Sequence, residues 1–166
     1  MAWLRTAVLL AAMVTMGLSA GLFFSYTVSV MPGLAKADDR TFVETMQRIN
    51  VAILNGWFMT VFMGALVLAL AAVALHLGAG HRGPLPWLVA AAVLYTVLVV
   101  VTGAVNVPLN DQLAAAGSLD HIPDLAAVRE KFETTWVTWN TVRTVVGTAG
   151  FGCLVTALVL GGRSAG

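Results

Sequence analysis

Long stretches without a single charge decide what this chain can fold into. Residues 6–35, between Arg5 and Lys36, contain no Asp, Glu, Lys or Arg, and neither do 50–77, 86–106 or 144–162. About 20 apolar residues are enough to carry a helix across a bilayer. A chain of 166 residues that is 59% hydrophobic and 10% charged cannot hide that much apolar surface in water. The sequence therefore predicts an all-α protein: an integral membrane four-helix bundle with short surface helices in its long connections, residues 1–166 forming one domain. The expected spans are about 4–30, 50–77, 86–106 and 136–160.

Several local signals refine these bounds. Arg5 followed by an apolar run could read as a cleaved signal peptide, but Leu18-Ser19-Ala20 is a poor cleavage match and apolar sequence continues to Val30. An uncleaved first helix, ended by Met31-Pro32-Gly33, is the better expectation. Gly17 and Gly21 have the spacing of a small-xxx-small pair, which permits close approach of a neighbouring helix. Ala37 or Asp38 is placed to cap a short surface helix with Phe42, Val43, Met46 and Ile49 on its apolar stripe. Asn55-Gly56 would turn a hairpin in a soluble protein, yet inside a long apolar run helix is expected to win. The third span is rich in β-branched residues, but lipid requires an internally satisfied backbone, so helix is required. Pro108 predicts a kinked or broken end there. Asp124 is placed to cap a helix running into the fourth span.

Charge and cysteine count exclude several classes. The net charge of +1 gives no footing for nucleic acid, and Cys153 is the single cysteine, so no internal disulfide or cysteine cluster exists. The long connections hold all eight acidic residues beside five basic ones, and the terminal side holds Arg5, Arg82 and Arg163. Net charge and the count of basic residues point opposite ways for orientation. The short, acid-free connections favour both termini in the cytoplasm of a plasma-membrane, multi-pass protein.

Within the fourth span Trp136, Asn140 and Arg143 share one helical face. An arginine inside a membrane helix costs roughly 2.5–3.5 kcal/mol on insertion scales, so it is expected to face the bundle and to serve a purpose. Antiparallel spans bring Asn50, Gln47, Asn106, Asn110, Tyr26 and Trp139 to the same membrane face. Arg143, Asn140, Asn106 and Asn110 are the candidate catalytic group. Asn50, Gln47, Trp136, Tyr26 and Trp139 are the candidate substrate-binding group. Taken singly, interhelical amides are ordinary glue and tryptophans ordinary interfacial anchors. Their convergence on one arginine makes the joint case for a pocket that holds a ketone, phenolate or enolate oxygen.

Metal chemistry has less support. His76 and His81 sit at the opposite end from His121, and His121 among Asp111, Asp120 and Asp124 reads as a solvated loop. The methionines read as packing. A metal held between two copies, and a homo-oligomer, stay open.

Gly21-Leu22-Phe23-Phe24-Ser25 with Met31-Pro32, and Met46-Gln47-Arg48-Ile49-Asn50, resemble the DUF1772 or anthrone oxygenase-like family of small four-helix membrane proteins. So do Asn106-Val107-Pro108-Leu109-Asn110 and Trp136-Val137-Thr138-Trp139-Asn140-Thr141-Val142-Arg143-Thr144. Thr141 stands where that family's pattern has a histidine after Asn140, which removes one acid/base group. The resemblance implies the four-helix fold. In some members it implies monooxygenase chemistry without a cofactor, turning an anthrone into an anthraquinone with molecular oxygen. Partners would then be the bilayer and a lipophilic aromatic molecule. The alternative is a non-catalytic module, a subunit, scaffold or lipophile-binding protein, whose Asn/Arg cluster only holds helices together. Small-solute transport is the weakest reading, since no inverted repeat is evident.

Overall fold

The computed structural model describes residues 2–78 and 83–163, so His81 and Arg82 lie outside the described residues. Four helical stretches are long and apolar enough to cross a membrane, Trp3–Leu34, Gly56–Leu75, Leu85–Ala115 and Leu125–Gly162. No strand occurs among the described residues. The expected four-helix membrane bundle is what forms. Helix α1 (Ala2–Ser25) packs against α4 (Gly56–Leu75) and α7 (Leu125–Arg163), and α5 (Leu85–Val101) closes the ring between α4 and α7.

Small residues set how closely the spans approach. Ala12, Ala20, Ala65, Ala69, Ala72, Ala91 and Ala157 are all buried, a composition that lets backbones come together in lipid. A Cβ on Gly150 would stand 3.2 Å from Met16 Sδ and 3.6 Å from the Ala91 carbonyl oxygen. One on Gly147 would meet Leu98 Cδ1 at 2.9 Å. Both glycines let α7 settle between α1 and α5. Of the pair expected on α1, Gly17 lies against Phe151 while nothing approaches Gly21, so only half of that motif packs. In mid-bundle the Tyr95 hydroxyl donates to the Phe62 carbonyl at 2.9 Å and lies 2.9 Å from Ser19 Oγ.

The spans depart from the expected bounds where prolines and asparagines act. Met31-Pro32 does not end the first span. A π turn (Tyr26–Val30) comes first, in which the Met31 N–H bonds to the Tyr26 carbonyl, and α2 (Met31–Leu34) continues. The third span repeats the device: a π turn (Thr102–Asn106), the Val107 N–H on the Thr102 carbonyl, then α6 (Val107–Ala115) with Pro108 in its first turn. A proline in a first turn needs no donor, and the widened turn before it takes up the register change. The second span is shorter than expected. Helix α3 (Asp39–Ala52) ends before a break at residues 53–55, so helix does not win at Asn55. Asn55 has extended backbone; its Oδ1 accepts from the Phe58 N–H at 3.0 Å and its Nδ2 donates to the Ala52 carbonyl at 2.9 Å. One side chain thus closes α3 and opens α4.

A second apolar cluster, with Met31, Phe42, Val43, Met46, Leu113, Phe132 and Trp136, seats α3 over one end of the bundle. Asp38 caps α3 through the Thr41 N–H at 3.0 Å, and this bond holds its carboxyl below the usual range. Arg129 lies over the Phe42 ring at 4.5 Å and bonds to the Ala37 carbonyl at 2.9 Å and Asp39 Oδ1 at 3.0 Å. Asp124 caps the start of α7, its Oδ1 accepting from the Ala127 N–H at 2.9 Å.

Candidate functional site

Between the membrane core and this end cluster lies a cavity of about 80 Å³. Leu22, Phe23 and Tyr26 reach it from the first span, and Ile49, Asn50, Ile53, Leu54 and Phe58 from α3, the break and α4. Thr102, Val107 and Asn110 come from the third span, and Trp136, Asn140 and Arg143 from α7. Both π turns border it, which places the two irregular segments of the spans at one site.

Arg143 is 5% exposed, and none of the ion pairs among the described residues involves it. Its Nη2 donates to Asn140 Oδ1 at 2.9 Å, and its guanidinium carbon stands 4.5 Å from the Phe23 ring centre and 5.3 Å from that of Trp136. The charge is held by two ring faces and an amide in place of a carboxylate. Its Nε has no hydrogen-bond partner.

The orientation of Asn140 is fixed from behind. Its Nδ2 donates to the Phe23 carbonyl at 3.1 Å and to Thr27 Oγ1 at 2.9 Å, which leaves Oδ1 for Arg143. Thr27 Oγ1 lies 2.9 Å from Thr144 Oγ1, whose hydroxyl donates to the Asn140 carbonyl at 3.0 Å. Asn110 Oδ1 accepts from Trp136 Nε1 at 2.9 Å, and the Tyr26 ring leans on Trp136 with centres 5.6 Å apart. Asn106 is 1% exposed; its Nδ2 makes a long contact of 3.4 Å to the Trp136 carbonyl and its Oδ1 has no partner. Asn50 Nδ2 is likewise buried and unpaired. A buried polar group left unpaired costs about 1–3 kcal/mol, so three at one end of the bundle form a reserve of unmet hydrogen-bonding capacity.

The structure thus gathers Arg143, Asn140, Asn110, Asn50, Trp136 and Tyr26 around one cavity, with Asn106 beneath Trp136. Gln47 and Trp139 are not in its lining. Gln47 Nε2 donates to the carbonyls of Leu113 at 2.9 Å and Gly117 at 3.1 Å, tying α3 to the end of α6. Trp139 is half-buried on a neighbouring face of α7. His121 does not reach the cavity; its Nδ1 is 2.7 Å from Ser118 Oγ in an exposed turn that Arg40 and Asp120 pin to α3 at 2.7 Å. Buried His76 pairs Nδ1 with the Ala72 carbonyl at 2.7 Å. No group of three or more His, Cys, Asp or Glu side chains among the described residues is arranged to hold a metal. The participants missed by sequence reasoning are Phe23, Thr27 and Thr144, and the throat residues Ile53, Leu54 and Phe58. Thr144 follows Arg143 directly, and Phe23 and Thr27 are one turn apart, but only the packing of α1 on α7 pairs them.

A search of the curated proteins and of the solved structures finds no significant match. The family model for anthrone oxygenase matches residues 57–153, more than half of the chain, a stretch that carries Asn106, Asn110, Trp136, Asn140 and Arg143. With that match over spans two to four, the chain belongs to the anthrone oxygenase family.

Proposed function

We propose that this chain is a membrane oxygenase that oxidises a lipophilic aromatic substrate, anthrone- or quinol-like, in the cavity beside Arg143. Molecular oxygen is the co-substrate and no bound cofactor takes part. The observation that carries this reading is a buried guanidinium with no carboxylate partner, facing an apolar cavity. A fixed positive charge there favours the anion of a ligand over its neutral form.

An anthrone loses a proton from its methylene carbon to give an aromatic oxyanion. That anion supplies electrons to oxygen and forms a carbon–oxygen bond at the same carbon. The resulting peroxide anion takes a proton back from solvent and loses water to leave the quinone, so one anthrone and one oxygen give one anthraquinone and one water. Arg143 holds the oxyanion, Asn50 offers a second donor, and Asn140 sets the guanidinium's position. Asn110 and Asn106 steady Trp136, which with Tyr26 faces the ring. No carboxylate or histidine lines the cavity, so the substrate proton passes to solvent at the interface. The reading places both termini in the cytoplasm and the cavity at the opposite face of the cell membrane, in keeping with the short, acid-free connections.

A lipophile-binding role without turnover is the second reading, favoured by the same lack of a carboxylate or histidine in the lining. Anthrone consumption under oxygen separates the two. Membranes holding the wild-type chain are compared with empty membranes and with Arg143→Ala and Arg143→Lys, because anthrones also oxidise spontaneously. A rate above the empty-membrane background that Arg143→Ala abolishes supports the oxygenase. Equal rates in all four samples, with folded variants, leave only the binding role.

A further inference from the structure

Of the residues lining the cavity, only Leu54 and Val107 are exposed, at 72% and 41%. Leu54 stands in the break between α3 and α4, and Val107 follows the second π turn, so the mouth lies between spans two and three. Both are aliphatic. Val51 and Trp57, three residues to either side of Leu54, and Val100, seven residues before Val107, are also exposed, Trp57 at 87%. Tryptophan marks the level of a membrane interface, and a mouth framed by aliphatic side chains at that level opens onto lipid.

Size limits what enters. An apolar cavity of roughly 150 Å³ holds a benzene, and this one is about 80 Å³. It takes the oxygen-bearing edge of a ring beside Arg143 and Asn50, whose buried Nε and Nδ2 lack hydrogen-bond partners, and leaves the rest of the molecule toward Ile53 and Phe58. We infer that the site is loaded sideways from the bilayer, between Leu54 and Val107. Its ligand is an amphiphile whose oxygenated ring edge enters while an apolar body or tail stays in the lipid. The nature of the ring edge rests on the reading of Arg143 above; the route does not. The ligand's concentration in the membrane governs occupancy, and residue 54 selects among bodies.

Photolabelling of the full chain in phosphatidylcholine vesicles tests this. The probe is a long-chain alkylphenol with a diazirine on its tail beside the ring, irradiated under nitrogen so that no turnover is needed. Adducts that excess unlabelled alkylphenol removes are expected at Ile53, Leu54, Phe58 and Val107. Leu54→Trp lowers this competed labelling about tenfold, Leu54→Ala retains it, and Leu70→Trp, on a lipid face away from the mouth, leaves it unchanged. Competed adducts instead at Leu113 and Lys131, which line a separate cavity beside the end cluster, would mean loading from the aqueous side and would overturn the inference. So would labelling that is not competed, or that Leu54→Trp leaves intact. Portal labelling without any anthrone oxidation would keep the route and remove the oxygenase reading.

Discussion

Arg143 and Asn140 stand one turn apart on α7 with Nη2 2.9 Å from Oδ1, so an amide occupies the place where a carboxylate would neutralise the charge. Asn140→Asp supplies that carboxylate with almost no change of shape, at the loss of the bond that Nδ2 donates to the Phe23 carbonyl. An internal counterion then competes with any ligand anion, and the oxygenase reading expects the oxidation rate to fall about 10²–10³-fold, the loss typical of a removed oxyanion contact. The check is anthrone turnover beside a thermal melt in detergent. An Asn140→Asp protein that is folded and fully active would separate Arg143's free charge from catalysis.

Tyr95 answers to structure and not to the site. Its hydroxyl ties α5 to α1 and α4 through Ser19 and the Phe62 carbonyl. Tyr95→Phe removes that tie and is expected to destabilise the bundle by about 0.6 kcal/mol, the average for interhelical hydrogen bonds in membranes. Unfolding in denaturing detergent measures this, and oxidation by the folded fraction should match wild type.

Gly150 and Gly152 give a paired test of close packing. Nothing stands within 4 Å of a Cβ on Gly152, whereas one on Gly150 meets Met16 and the Ala91 carbonyl. Gly152→Ala is expected to be neutral. Gly150→Val overpacks the α1–α5–α7 contact and costs about 1–3 kcal/mol. Melting temperatures of the two variants should differ accordingly, and equal values would mean the spans can spread at no cost.

Acid should loosen α3 before it touches the membrane core. The Asp38 carboxyl is held below its ordinary value of 3.8 by the Thr41 N–H and then by the Thr41 hydroxyl. A depressed carboxyl contributes stability that is present above its unfolded value and disappears as pH falls through the folded one. Protection of the first-turn amides of α3, taken as exchange relative to the intrinsic rate at each pH, is therefore expected to fall below pH 3.8. Asp38→Asn keeps a cap but should abolish this acid response, and Asp38→Ala should be weakly protected at every pH.

What could be read from the sequence follows from which forces are local. Four spans were legible because lipid forbids unsatisfied backbone, which leaves long uncharged runs no choice but helix. The gathering of Asn50, Asn110, Asn140 and Arg143 at one end was legible because antiparallel hairpins fix which ends meet. Phe23 under the guanidinium was not, since the register of α1 on α7 is set by packing at Ala20, Gly147 and Gly150. Nor was the passage of both spans beyond Pro32 and Pro108, because a π turn leaves no compositional trace and proline alone reads as a stop. Gln47 and Trp139 share the right end, but Gln47 bonds to the Leu113 and Gly117 carbonyls and Trp139 is not in the cavity lining, outcomes that periodicity alone does not separate from pointing inward.

Asn55 is where local chemistry overrides the apolar run. Its side chain offers an acceptor to α4 and a donor to α3, which lowers the cost of the break there. Asn55→Ala removes both contacts, and a lost cap costs about 0.5–2 kcal/mol. Because Ile53 and Leu54 lie in the break and line the cavity, the loss is expected to disturb the mouth before it disturbs Arg143. For the oxygenase this means a raised KM with kcat nearly unchanged, since the groups that stabilise the anion stay on α7. Asn55→Ser, which can still cap, should recover most of the KM, whereas Asn55→Leu should not. If Asn55→Ala lowered kcat and left KM alone, the break would be shaping the reacting end of the cavity and not its entrance.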